Sequence, residues 1–234
     1  MTAEPVLEIR GVRKQYQALR PLRLNELTLA PGERVALSGL DAGAAEVFVN
    51  LVTGASLPDE GEVRILGRST ASIADGDAWL ASLDRFGIVT PRAVLLDAAT
   101  LRQNLAMPLT LSIDPLSDET ARRAAALGGE VGIAEEWLDK PIAGLPPAIT
   151  ARAHLARAVA LEPVLLILEH PTAALEPSDG RPFGETVSRV ASARHLAAII
   201  VSEDADFTAA AAERRYTLHP ASGDLRPRRR SFFF

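Results

Sequence analysis

The 234-residue chain contains no cysteine, which excludes disulfide bonds and thiolate metal or redox sites. A reducing cytoplasm fits that absence without following from it. The chain also lacks any run near the roughly 20 apolar residues that a membrane helix needs, so it is expected to be soluble in itself. Positive charge is short: 25 Lys and Arg against 30 Asp and Glu leave a net charge of -5. That balance argues against a general electrostatic grip on nucleic acid, and no nucleic-acid partner is expected. The opening MTAEPVLEIR has an acid and a proline where a secretory signal needs a basic start and an apolar run. No internal repeat is visible.

Against these absences stands a chain that is 47% hydrophobic, enough to bury one large core or a core with a subdomain. Strand-like runs occur at residues 6–10, 24–29 and 34–38, with the tight turn APGE between the last two, which suggests an antiparallel β start. GEVRILG at residues 61–67 is a further short strand between glycines. FGIV at 86–89, VLLIL at 164–168 and AAIIVS at 197–202 are apolar throughout, as expected of parallel strands covered on both faces. Helical spacing with many alanines marks 116–131 and 149–161, so a mostly helical insertion is expected inside an α/β core. The tail RPRRRSFFF at 226–234 is a change of composition, basic then aromatic; it is expected to be a frayed terminus, with contact to anionic lipid as the alternative.

The stretch LSGLDAGAAEVFVNLVTG at 37–54 has the outline of a phosphate-binding loop: an apolar strand, a glycine turn, then a helix expected over 47–52. A working loop G-x-x-x-x-G-K-[S/T] needs its lysine for the β- and γ-phosphates and its hydroxyl for magnesium. Counting from Gly39, the second glycine is Ala44, the lysine Ala45 and the hydroxyl Glu46.

In order, these segments resemble the ATP-binding subunit of ABC transporters over almost the whole chain. The resemblance is carried by LEIRGVRKQY, which places Tyr16 at the adenine-stacking position, by GASLPDEGEVRILG and AVLLDAATLRQNLAMPL, and by ARAHLARAVALEPVLLILEHPTAALEP. It implies an α/β, P-loop NTPase-like ABC ATPase fold: an antiparallel β subdomain, a mostly parallel core sheet and a helical subdomain at about residues 92–160. Residues 1–225 are expected to form a single domain. The resemblance also places the family's Q-loop glutamine on Pro91, its signature on Leu145, Pro146, Pro147, Ala148 and Ile149, its Walker B aspartate on Glu169, its catalytic glutamate on His170 and its switch histidine on Glu203. A weak nucleotide site remains conceivable at Tyr16, Gly39, Leu40, Asp41, Ala42, Gly43, Ala44, Ala45, Glu46 and Val47. No metal site is expected.

Magnitudes separate tuning from loss. Losing the lysine's charge-assisted hydrogen bonds costs about 1.5–3 kcal/mol. Carboxylates at Glu46 and Asp41 add repulsion toward polyphosphate of about 1 kcal/mol per close pair in water and about 4 at an intermediate dielectric. A non-glycine residue at a positive-φ turn position costs roughly 1–2 more. Together these exceed ~10³ in affinity for ATP and magnesium. Bland readings accompany each remaining residue: Glu169 and His170 as the end of a buried strand, Glu203 and Asp204 as surface turn acids, His154 as a helix-face residue, Trp79 and Trp137 as packing at element edges.

The resemblance therefore implies a degenerate subunit acting as scaffold or regulator on a membrane permease or an active ABC ATPase subunit. It would sit in a dimeric assembly, cytoplasmic and peripheral at the inner face of the cell membrane. In the family, residues 95–109 correspond to the region that receives the permease, with Leu101, Leu105 and Met107 as its apolar members. The alternatives are a non-standard ABC ATPase using Glu46, Glu169 and His170, and an interaction module with a new small ligand in the vacated cleft.

Overall fold

The computed structural model describes residues 4–228. The first sheet takes β1 (Leu7–Lys14) and β2 (Leu22–Leu29). In β2 Leu22 and Leu24, then Leu27 and Leu29 after a one-residue break in the alternation, are buried with exposed residues between them, the sign of a sheet with one solvated face. Next come β3 (Arg34–Ser38), α1 (Ala42–Val52), β4 (Glu60–Ile65), β5 (Arg68–Ser69), α2 (Gly76–Ser82) and β6 (Phe86–Val89). A helical stretch follows: α3 (Leu101–Ala106), α4 (Asp118–Glu130), α5 (Glu135–Leu138) and α6 (Pro147–Val159). The chain then returns through β7 (Leu165–Glu169), α7 (Pro177–Ala193), β8 (Ala197–Val201), α8 (Ala205–Ala211), β9 (Arg214–His219) and β10 (Asp224–Pro227).

Two sheets result. The antiparallel one runs β2-β1-β4-β5, and the larger runs β10-β9-β3-β8-β7-β6, parallel except for the β10 edge. The inner strands β3, β7 and β8 of the larger sheet are buried on both faces. Leu165 and Ile167 of β7 join the apolar layer shared with α1 and the antiparallel sheet, whereas Leu166 and Leu168 join the layer beneath α6, α7 and α8. That division explains why β6, β7 and β8 have continuous apolar sequences.

The antiparallel start expected from the sequence is present in the pairing of β1 with β2, but the turn APGE does not close a hairpin. β2 stays in the first sheet, while β3 crosses into the second and pairs in parallel with β8 and β9. Both strands contribute to the layer between the sheets, through Leu22, Leu24, Leu27 and Leu29 of β2 and Val35 and Leu37 of β3, but β2 is solvated on its other face whereas β3 is covered there too.

Local chemistry fixes the helical stretch. Thr100 and Gln103 form a reciprocal capping box on α3, Ser117 caps α4, and α6 opens on Pro147, whose missing N–H is harmless in a first turn. Asn104 is fully buried; its amide accepts from the Leu96 N–H at 2.8 Å and donates to the Leu96 carbonyl at 3.0 Å. Leu101 and Leu105 are core residues of this stretch, not surface. Large apolar residues exposed in and just before it are Val94, at 73%, Leu96, at 43%, and Leu111, at 99%.

Gly87 sits where β6 passes under α6. A Cβ there would lie 2.3 Å from the Ala158 carbonyl oxygen, a backbone atom that cannot swing away. Gly87→Ala is expected to destabilise the protein by about 2 kcal/mol through overpacking, read as a lower urea midpoint at unchanged slope.

Candidate functional site

The parallel strands deliver their carboxyl ends to one edge of the sheet, where open α/β folds place ligand crevices. Four segments meet there: Gly39–Glu46 after β3, Thr90–Arg92 after β6, His170 after β7, and Ser202–Asp204 after β8.

Gly39 has φ +87°, and a Cβ there would lie 2.5 Å from the Leu218 carbonyl oxygen, so the turn requires glycine. Beyond it the phosphate-loop outline is wound into helix. α1 begins at Ala42 and not at 47, because Asp41 caps it: the Asp41 side chain accepts from the Ala44 N–H at 2.8 Å, and its carbonyl accepts from the Ala45 N–H at 2.8 Å. The Glu203 carboxylate accepts from the Gly39 N–H at 2.5 Å. Glu203 is thus a partner of the glycine turn, and Asp204 is the cap of α8, so neither is a free turn acid. Leu40 and Ala45 are buried, Ala42 and Gly43 open the helix at the surface, and Val47 packs toward the antiparallel sheet. Gly43 is helical and supplies no turn.

The cationic side of the cleft is held by Arg92, which the sequence did not single out. Its guanidinium donates to both Glu169 oxygens at 2.7 and 2.6 Å, and Thr90 donates a third bond to Glu169 at 3.0 Å. The Glu169 side chain is 2% exposed, and Glu46 stands 3.7 Å from the same guanidinium. The Glu169 hydrogen bonds hold Arg92 above its usual value despite desolvation, and Glu46 adds to the effect. Pro91 contributes neither donor nor acceptor beyond its own carbonyl.

On the far side of Pro91 a cavity of about 320 Å³ lies between His170, Pro147 and His154. His170 has φ +41°, donates its N–H to the Val201 carbonyl at 2.8 Å, and buries Nε2 without a hydrogen-bond partner among the described residues. At the start of α6, Pro146 and Pro147 offer no N–H, and the Ile149 and Thr150 N–H groups are spent on the Pro146 carbonyl at 2.9 and 3.1 Å. Ala148 is the next residue of that turn, and Leu145 packs into the helical layer.

His154 lines the same cavity and belongs to the helix face that the sequence assigned it. Burial, and secondarily Arg157, push its pKa below the ordinary 6.5. A base with a depressed folded pKa binds fewer protons than the unfolded chain, so its stabilising contribution is complete above about pH 6.5 and is lost as pH falls toward the folded value. His154→Gln is expected to remove that slope, measured by urea unfolding across the range.

Tyr16 lies across the other mouth of the cleft, in a cavity of about 460 Å³ with Gly39, Asp41 and Ala44. Burial and then the Asp41 charge raise its hydroxyl pKa. Among the described residues no group of three or more His, Cys, Asp or Glu is arranged to hold a metal ion.

A six-stranded, mainly parallel sheet flanked by an antiparallel sheet and a helical layer, with its cleft after β3, β6, β7 and β8, is the ATP-binding cassette architecture. The family model described as ABC transporter matches residues 22–173, and the chain belongs to that family. It is 31% identical over 219 residues to the lipoprotein-releasing system ATP-binding protein LolD of Alcanivorax borkumensis, covering 92% of this chain and 95% of LolD. It is 28% identical over 213 residues to the methionine import ATP-binding protein MetN of Brucella abortus, covering 91% of this chain; the matched part is 57% of MetN's length. The fold superposes on the dimeric cassette MJ0796 in its post-hydrolysis state bound to ADP and Pi, with TM-score 0.77, 21% identity and coverage of 97% and 100% of the two chains. It also superposes on cbiO1 from Clostridium perfringens, part of the ABC transporter complex cbiONQ, with TM-score 0.80, 20% identity and coverage of 95% and 87%. No described helix is long and apolar enough to cross a membrane.

Proposed function

We propose that this chain is a cassette subunit of an ABC transporter assembly whose nucleotide site has been replaced by internal bonds. In this role it acts as a scaffold or regulator on a membrane permease or on a partner subunit with ATPase activity. The observation that carries this is the pairing of Arg92 with Glu169, supported by that of Glu203 with the Gly39 N–H. The chain's own carboxylates take the N–H groups that phosphate oxygens need, and its own guanidinium takes the carboxylate that a metal needs. The residues present do not fit magnesium nucleotide: Ala45 and Glu46 stand for lysine and hydroxyl, and Glu169 has both oxygens engaged.

Isothermal calorimetry with Mg-ATP tests the reading. Binding in the low micromolar range would overturn it, because nucleotide would then have to displace two charge-assisted contacts at no visible cost.

The partner is proposed to be a permease, as the relatives' printed roles in import and lipoprotein release suggest, with the chain dimeric and peripheral on the cytoplasmic side. The anchors are Val94 and Leu96, apolar and exposed on a segment that Asn104 holds rigid. Val94→Glu with Leu96→Glu is expected to move the protein from the membrane fraction to the soluble fraction, while Ala45→Ser, Glu46→Gln and His170→Gln leave it membrane-bound. The opposite distribution favours the ATPase reading.

A further inference from the structure

Helix α2 is poorly seated. None of its residues is buried, and Leu80 is 57% exposed. What holds it is Trp79, whose Nε1 donates to the Thr53 carbonyl at 3.1 Å, and the Asp75 cap. Ala78, Ala81 and Ser82 border a solvent-open cavity of about 330 Å³ beside the helix. Ile65, Ile73 and Phe86 supply an apolar floor.

Two arginines, Arg68 and Arg85, are also among the residues that line this cavity, and neither is ion-paired among the described residues. They reach it from different elements, β5 and the turn before β6. Ser69, Thr70 and Ser72 line the same cavity. Ser72 and Thr70 donate to the carbonyls of Ser69 and Val63, which leaves their lone pairs free. Apolar walls with a few convergent polar groups are what a small-molecule site needs. Arginine supplies a planar fork suited to carboxylate.

We propose that the cavity under α2 binds a small organic monoanion, a carboxylate carried on an apolar body, with Arg68 and Arg85 on the charge and Ala78, Ala81 and Phe86 on the body. A single charge is specified because Asp75, Asp77 and Asp84, on and beside α2 though not among the lining residues, add negative charge nearby and disfavour a dianion. The site is separate from the cleft and does not depend on how the cleft is read.

Trp79 reports on the cavity directly. In a Trp137→Phe background it is the only tryptophan, and hexanoate serves as the probe. Fluorescence and calorimetry on the full chain are expected to give saturable binding in the millimolar range. Hexanol, with the same body and no charge, and inorganic phosphate, with charge and no body, should each bind at least tenfold more weakly. Arg68→Gln with Arg85→Gln should weaken hexanoate by tenfold or more, and Ala81→Leu, which fills the space, should abolish saturation with both arginines intact. Circular dichroism and the melting midpoint establish that these surface variants are folded. Absence of saturable hexanoate binding by calorimetry overturns the proposal, as does equal binding of hexanol, or hexanoate binding that survives both sets of substitutions.

Discussion

Arg92→Ala is expected to destabilise the protein by about 3 kcal/mol, lowering Tm by about 6–12 °C in a chain of this size. The carboxylate of Glu169 is 2% exposed and lies at the end of a strand buried on both faces. Remove the guanidinium and one neutral hydrogen bond, from Thr90, is all that faces a buried charge. The Arg92 side chain is 45% exposed, so water enters as it leaves, and the expected loss therefore sits at the low end of the range for breaking a buried pair. Glu46 contributes little, since it is half exposed and 3.7 Å away. Replacing both partners separates the pair's net worth from the cost of an orphaned charge: Arg92→Leu with Glu169→Leu is expected to recover most of the loss. A double variant as unstable as Arg92→Ala would show that the geometry of the strand end, and not its charge balance, carries the stability.

How far the sequence revealed these features follows from how local each one is. The strands β6, β7 and β8 were readable because burial on both faces leaves an uninterrupted apolar run. The 17-residue helix α7 was not, because Gly180, Pro182 and Gly184 punctuate it. In the structure the glycines are contacts: a Cβ at Gly184 would lie 2.5 Å from the Phe207 carbonyl oxygen and one at Gly180 2.6 Å from Asp204, so α7 and α8 approach closely only through them. Strand β9, next to the β10 edge, has a single buried residue, Leu218, and so no alternation to detect. Strand β10 also carries Arg226 and Pro227, so the first part of the expected frayed tail is an ordered edge; residues 229–234 lie outside the described range.

The cleft divides the same way. The absence of lysine and hydroxyl after Gly39 is a one-dimensional fact and was visible. The replacements are tertiary: Arg92 meets Glu169 across 77 positions and Glu203 meets Gly39 across 164, with no spacing rule to announce either. The helical start at Ala42 could have been found, since Asp41 three residues before Ala44 is an ordinary capping arrangement.

Restoring the missing chemistry is expected to recover binding and not turnover. Ala45→Lys with Glu46→Ser returns a lysine whose charge-assisted bonds are worth about 1.5–3 kcal/mol, or roughly 10- to 150-fold in affinity for Mg-ATP. It also removes a carboxylate that repels phosphate by about 1 kcal/mol in a wet cleft. Opposing this, Ala45 is 0% exposed, so the new lysine has to bury its stem and bring its ammonium out to the cleft, and the gain settles toward the lower figure. Three backbone donors remain taken, at Gly39 by Glu203 and at Ala44 and Ala45 by Asp41, so the affinity stays below that of an open phosphate loop. Adding Glu203→Ala frees the Gly39 N–H and is expected to give a further gain, which an accidental lysine effect would not produce. Hydrolysis stays absent in both variants, because His170 keeps its positive-φ position after β7 with Nε2 buried, and because Pro146 and Pro147 present no N–H to a phosphate. Calorimetry measures the first expectation and phosphate release the second. Phosphate release by the double variant would mean that His170 or Glu169 performs chemistry that the internal pairing of this cleft speaks against.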